Sequence, residues 1–208
     1  MFVDDCTWKV CAYSLRSKDE VLMVFSCWLA EEENRTGQRV TTLRSNNGGE
    51  YTSRAFKLWL SEKGIRHQKT VPYTPMRNGV VERINWTIQE RVTTMLQHSR
   101  LKLELWAEAL QTAVDLINIS PSKAIRFEVP HALWSGKEPT YERLRIFGCE
   151  AYVFIPREKR TKLSPHVMKC TFLGYRLWDP KNRKLIRSSD VVFNEDYSLT
   201  ELVENSGQ

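Results

Sequence analysis

The chain has 208 residues, 41% of them hydrophobic and 27% charged, a balance that fits one core of ordinary size plus a smaller unit and excludes a disordered or fibrous chain. Its longest apolar runs, such as residues 21–25, fall far short of the ~20 residues that a membrane span needs. Met1-Phe2-Val3 leads straight into Asp4-Asp5 with no basic start or cleavage motif, so an intracellular protein without membrane partners is expected. Five cysteines (Cys6, Cys11, Cys27, Cys149, Cys170) lack CxxC spacing, and the four histidines are scattered. They predict free core thiols rather than a disulfide framework or a zinc module.

The net charge of +6 is unevenly spread. Residues 1–138 carry +3, residues 139–194 carry +7 and residues 195–208 carry −4. The basic surplus therefore belongs to the later part, where it fits either attraction to a polyanion or a solvated face.

In chain order, the pattern predicts a strand over 10–15 and a helix over 18–34 whose apolar stripe runs through Val21, Val24, Phe25, Trp28 and Leu29 and which Gly37 ends. A second strand over 40–43 enters the polar turn Arg44-Ser45-Asn46-Asn47-Gly48-Gly49. A short helix over 53–62, closed by Gly64, and an alternating strand over 65–71 follow. A loop holding Pro72, Pro75 and Gly79 then leads to a long helix over 80–98 with apolar positions 81, 84, 88, 92 and 95. A further helix spans 105–119 and stops at Pro121. This order is that of an α/β layer, to residue 120. Residues 121–138 read as a proline-bearing connector, residues 139–194 as a small all-β module with runs at 146–155, 170–175, 185–186 and 191–193, and residues 195–208 as an acidic tail.

Two polar loops end strands and face helix starts, the place where open α/β sheets put their sites. They are Leu43-Arg44-Ser45-Asn46-Asn47-Gly48-Gly49-Glu50-Tyr51 and Pro75-Met76-Arg77-Asn78-Gly79-Val80-Val81-Glu82-Arg83. These segments resemble the LRSDNGGEYTS and TPxQNGVVERxNRT motifs of copia-type LTR retrotransposon integrases, a branch of the retroviral integrase superfamily. Phe2-Val3-Asp4-Asp5 with Lys9-Val10 resembles the strand pair that precedes them. Leu144-Arg145-Ile146-Phe147-Gly148-Cys149, Lys169-Cys170-Thr171-Phe172-Leu173-Gly174-Tyr175 and Ser189-Asp190-Val191-Val192-Phe193 resemble the SH3-like module that follows the core in Pol polyproteins.

The resemblance implies a ribonuclease-H-like core and polynucleotidyl transfer by three carboxylates holding two divalent metals, Mg2+ or Mn2+, with DNA as partner, an integrase-type oligomer and a nuclear location. Thirty-five residues separate Asn46 from Glu82, the spacing of the family's second aspartate and glutamate, so Asn46 stands where the family has aspartate and Glu82 is the surviving family position and ancestral metal ligand. The family's first aspartate belongs to a central strand before Phe2. The expectation is thus a truncated core without that strand and without productive metal binding. Asp4 and Asp5 read as turn acids.

Arg44, Asn78, Arg83 and Arg91, with Lys63 and Lys69, are candidate phosphate contacts, an ordinary polar surface being the alternative. Other departures from the family pattern are Trp8 and Trp86 for arginine, Arg77 for glutamine, and Asp115 in an apolar helix segment. Gly174-Tyr175 joins Arg176 directly, which predicts a missing hairpin in the β module. Three functional readings follow. They are an integrase remnant that is catalytically inactive, a nucleic-acid-binding or adopted interaction protein without catalysis, and a decayed open reading frame with no selected role.

Overall fold

A computed structural model describes residues 1–70, 75–160 and 165–196, without the side chains of 75–78 and 159. Strands β1 (Phe2–Val3) and β2 (Val10–Cys11) form an antiparallel pair. Helix α1 (Val21–Thr36) follows a 3-10 turn and ends at Gly37, whose φ of 68° supplies the left-handed cap. Then come β3 (Thr42–Ser45), the short α2 (Gly49–Thr52), α3 (Arg54–Glu62) and β4 (Arg66–Lys69). Strands β3 and β4 pair in parallel, from Thr42 opposite Arg66 to Ser45 opposite Lys69.

The first strand is shorter than the pattern over 10–15 predicts: Ala12 leaves the ladder, although it stays buried in the core. Ser53, the first residue of the expected helix, instead caps α3 by accepting from the Phe56 N–H at 3.3 Å.

Helix α4 (Pro75–His98) begins five residues earlier than the loop reading allows. Pro75 is its first residue, where a missing N–H costs nothing, and Gly79 is absorbed within the helix. Glu82 therefore lies well inside a helix rather than in its first turn. Helix α5 (Trp106–Asn118) follows. The connector over 121–138 is helical in part, containing a 3-10 turn at Lys123–Ile125 and α6 (Pro130–Ser135), again with proline at the start and a left-handed glycine, Gly136, at the end.

Three cores hold this region. Val21, Phe25 and Leu29, one per turn on α1, pack on Phe56 and Leu60 of α3 and on Ile65, with Phe2 of β1 and Leu43 of β3 at the margin. Val10 and Ala12 pack on Ile88 of α4 and Val114 of α5. Phe2 and Leu43 thus serve one core, yet β1–β2 and β3–β4 are separate two-stranded sheets, and no strand among the described residues bonds to both. Asn118, 2% exposed, covers β2: its Oδ1 accepts from the Val10 N–H and its Nδ2 donates to the Val10 carbonyl, both at 2.8 Å. A side-chain amide here takes the place of a neighbouring strand.

The later part is a single five-stranded antiparallel sheet. Strands β5 (Glu150–Phe154), β6 (Val167–Phe172), β7 (Leu177–Asp179), β8 (Lys184–Ile186) and β9 (Val191–Asn194) run in the order β8-β7-β6-β5-β9. Where the resemblance leads one to expect a missing hairpin, strands β6 and β7 are joined directly. Gly174 and Tyr175 form a two-residue hairpin loop closed by Leu173 N–H to the Arg176 carbonyl at 2.8 Å, with φ of 86° at Gly174 as such a turn requires. Its core is Ala151, Val153, Cys170 and Leu177.

A third core joins the two regions, with Leu96 of α4 and Leu105 and Ala109 beside α5 meeting Phe147 and Leu173. Arg176 straddles the Glu108 carboxylate, its Nε donating to Oε2 at 2.9 Å and its Nη2 to Oε1. Gly148 and Gly174 let the module approach closely: a β-carbon on the first would lie 2.1 Å from Ser99 Cβ, and on the second 2.4 Å from Thr112 Oγ1. Only Cys149 and Cys170 are the buried thiols expected of all five cysteines. Cys6, in a turn, and Cys27, on the outer face of α1, are exposed. No helix among the described residues is long and apolar enough to cross a membrane.

Candidate functional site

The ends of the parallel strands β3 and β4 lie side by side, and Thr70 N–H continues their ladder by donating to the Ser45 carbonyl at 3.0 Å. A cleft of about 380 Å³ opens there, lined by Arg44, Gln68, Lys69 and Thr70. The loop beyond β3 is built by its two asparagines. Asn46 Oδ1 accepts from the Gly48 N–H at 3.0 Å, while Asn47 Nδ2 donates to the Thr70 carbonyl at 3.0 Å and ties the loop to the end of β4. A turn of the first kind is open to aspartate as well as asparagine, so this loop keeps its shape whichever residue stands at 46.

A β-carbon on Gly48 would lie 2.6 Å from Glu50 Oε1, the end of a flexible side chain that would have to move aside. Ser45 Oγ donates to the Asn46 carbonyl at 2.9 Å and lies 2.8 Å from His67 Nε2. With the hydroxyl proton committed, the imidazole is the donor at Nε2. Burial, then Lys69 and Lys57, push the His67 pKa below its ordinary value, so the ring is neutral at pH 7.

Glu82 and Arg83 are exposed on α4, and the Arg83 guanidinium lies along the helix beside Gly79, 3.5 Å from where a β-carbon would be. Trp86 follows one turn after Glu82 on the same face and is 69% exposed. Arg44 lines the strand-end cleft. Arg91 stands apart: nine residues beyond Glu82, it is turned about 180° around the helix. It lines a second cleft, against Trp8, instead of joining Glu82. The side chain of Asn78 lies outside the described residues. Sequence reasoning missed Asn118 and the Glu108–Arg176 pair, whose partners are 108 and 68 residues apart and leave no local signal.

Asn46 and Glu82 by themselves do not make a site for a pair of hard divalent cations. Such ions take oxygen ligands, and two of them held close together need carboxylate charge between them. At 46 there is one neutral carbonyl oxygen already engaged by the Gly48 N–H, and Glu82 is a single carboxylate. Asp4 is a turn acid as expected, its Oδ2 accepting from both the N–H and hydroxyl of Thr7 at 2.7 and 2.8 Å. Among the described residues no three His, Cys, Asp or Glu side chains gather as a metal-binding group.

Comparisons with known proteins agree with this architecture. Residues 1–75 match the Integrase core domain family, and residues 149–206 match the Retroviral polymerase SH3-like domain family. The chain is 49% identical over 201 residues to the retrovirus-related Pol polyprotein from transposon TNT 1-94 of Nicotiana tabacum, which covers 93% of this chain and 15% of that protein. It is 36% identical over 177 residues to the Pol polyprotein from transposon RE2 of Arabidopsis thaliana, covering 85% of this chain and 12% of that one. The chain thus spans 12–15% of the length of these relatives. In fold it is similar to a chain of a simian T-cell lymphotropic virus intasome in complex with the PP2A regulatory subunit B56 gamma, with a TM-score of 0.52 and 17% identity over 93% of this chain and 68% of that one. The α/β layer ahead of a five-stranded module and the two matched families together establish that the chain belongs to the integrase region of copia-type LTR retrotransposon Pol polyproteins.

Proposed function

We propose that this chain is an integrase remnant that holds nucleic acid without joining strands. The observation that carries the reading is Asn46. Its amide preserves the loop through the Gly48 N–H while contributing no charge where two cations would need an anionic bridge. Loss of chemistry without loss of shape is what this substitution produces. Glu82, by the 35-residue spacing the surviving family position, marks descent.

What remains at the strand ends is cationic. Arg44 and Lys69 line one cleft and suit phosphate, while burial, then Lys69 and Lys57, hold the His67 pKa below its ordinary value. The module adds a +7 surplus over residues 139–194. Duplex DNA is the partner this reading assigns, and a nuclear location and oligomeric assembly would follow from it.

A strand-transfer assay with Mg2+ or Mn2+ on the full chain tests the catalytic half. The expected result is no product from the wild type. Product that Glu82→Gln abolishes would overturn the claim of inactivity. The binding half is tested by titrating duplex DNA at several salt concentrations. The substitutions R44Q and K69Q together should lower the slope of log K against log salt by about 2, and an unchanged slope removes this cleft from the interface.

A further inference from the structure

We propose that the cleft between β2, α4 and the turn after α5 is a binding site for one nucleotide unit, a phosphate carrying a flat aromatic group. The cleft holds about 250 Å³ and lies on the face of α4 turned away from Glu82, so it is separate from the strand-end cleft and does not rest on the function assigned there.

Its lining divides by chemistry. Val10, Ile84 and Ile117 make an apolar floor, with Trp8 beside them. The rim is polar and cationic, formed by Arg91, Lys123 and the hydroxyl-bearing Ser120 and Ser122, and no carboxylate is in the lining. Among the described residues the ion pairs join Arg35 to Glu32, Lys169 to Glu150, Arg176 to Glu108 and Arg183 to Glu104, so neither Arg91 nor Lys123 is neutralised by a protein carboxylate. Two unneutralised cations over an apolar floor with one indole select a ligand that is anionic at one end and flat and apolar at the other. The guanidinium and ammonium meet phosphate oxygens, and the indole offers a face for stacking a base.

Backbone strain touches this cleft at one residue. Among the described residues five other than glycine have positive φ, of which Trp8, at 59°, lines this cleft, while Arg126 and Phe127, at 57° and 67°, lie outside its lining. The last two lie in the turn that presents Lys123, held by Phe127 N–H to the Ser122 carbonyl at 2.8 Å and Ser122 N–H to the Glu128 carbonyl at 3.0 Å. A left-handed tryptophan is costly, and the fold that holds Trp8 in that conformation sets its place in the wall before any ligand arrives.

Calorimetric titration of the full chain at low salt with three probes tests the assignment: 5′-phosphorylated pentathymidylate, thymidine monophosphate and inorganic phosphate. The pentanucleotide should bind, with Kd raised at least tenfold by R91Q and K123Q together and severalfold by K123E alone at an exposed position. It should be unchanged within twofold by R44Q and K69Q, which read the strand-end cleft instead. The pentanucleotide binding more than tenfold tighter than the monophosphate assigns a nucleic-acid strand as the source, and equal affinities assign the free nucleotide. Unaltered binding in both the R91Q/K123Q and K123E variants, no binding of either nucleotide probe, or phosphate alone binding as tightly as the monophosphate would each overturn the proposal.

Discussion

The two regions of the chain solve the backbone hydrogen-bonding problem differently. In the β module every strand belongs to one continuous sheet, from β8 at one edge to β9 at the other. In the α/β region the strands are split into two pairs that share a core without sharing a ladder. Among the described residues the buried Trp134 Nε1, in the connector helix α6, is left without a hydrogen-bond partner, and so is one of the two carboxylate oxygens of Asp115, Oδ2, in α5. Burying such atoms costs roughly 1–3 kcal/mol each. The module is closed by its own strands, whereas the α/β region relies on helix packing, on the Asn118 clasp and on the module itself through the core around Leu105 and Phe147.

Four substitutions break or sharpen that contrast. Phe25 is 1% exposed at the centre of an aromatic group with Phe2, Phe56 and Trp59, and F25A should cost about 3–5 kcal/mol. Hydrogen exchange should show α1 and α3 losing protection while β5 and β6 keep theirs. Equal loss in both regions would mean that they unfold as one unit and that the contrast has no energetic meaning. G148A comes next, at about 2–3 kcal/mol, because φ is 87° and the new methyl meets Ser99 Cβ at 2.1 Å. Denaturant melts should register it, and a cost below about 0.5 kcal/mol would show the module free to shift away from α4.

The Glu108–Arg176 pair should be worth less. Glu108 is buried at 7% exposure, but the arginine side chain is open to water, and that screening discounts the pair, so E108Q should cost about 1–2 kcal/mol. A double-mutant cycle with R176Q measures the coupling. No coupling would leave the apolar contact as the whole attachment.

The smallest effect is expected to be favourable. Burial raises the Asp115 carboxyl above its ordinary value, against opposing contributions from Lys9 and from hydrogen bonds with Tyr175 and Gln111. A raised folded-state value means that the folded protein holds the proton longer than the unfolded chain. Stability contributed by this group is therefore present at pH below the unfolded carboxylate range and is lost as pH rises through the folded value. D115N should stabilise by about 1 kcal/mol at pH 7 and remove that stretch of pH dependence. Stability curves that coincide for the two proteins between pH 4 and 7 would contradict this account.

What could be read from the sequence follows the range of the interaction. The α1 stripe of Val21, Phe25 and Leu29 and its Gly37 cap are local, and so was the β-rich run over 146–155 that holds β5. The start of α4 was obscured because Pro75 and Gly79 carry the same signal in a loop and at a helix beginning, and only tertiary packing decides between them. The Gly174-Tyr175 turn was legible as a direct junction, and a glycine at the first of two loop positions is how adjacent strands are joined there. At the site, the spacing of Asn46 and Glu82 was visible as a number. The allegiance of Arg91 was not, because it depends on which side of α4 faces β2.

The central claim is that Asn46 and Glu82 no longer make a divalent-metal site. Electron paramagnetic resonance titration of the full chain with Mn2+ addresses it without requiring DNA or turnover. The account predicts that wild type and E82Q take up Mn2+ identically and weakly. Stoichiometric Mn2+ bound by the wild type and released by E82Q would contradict it.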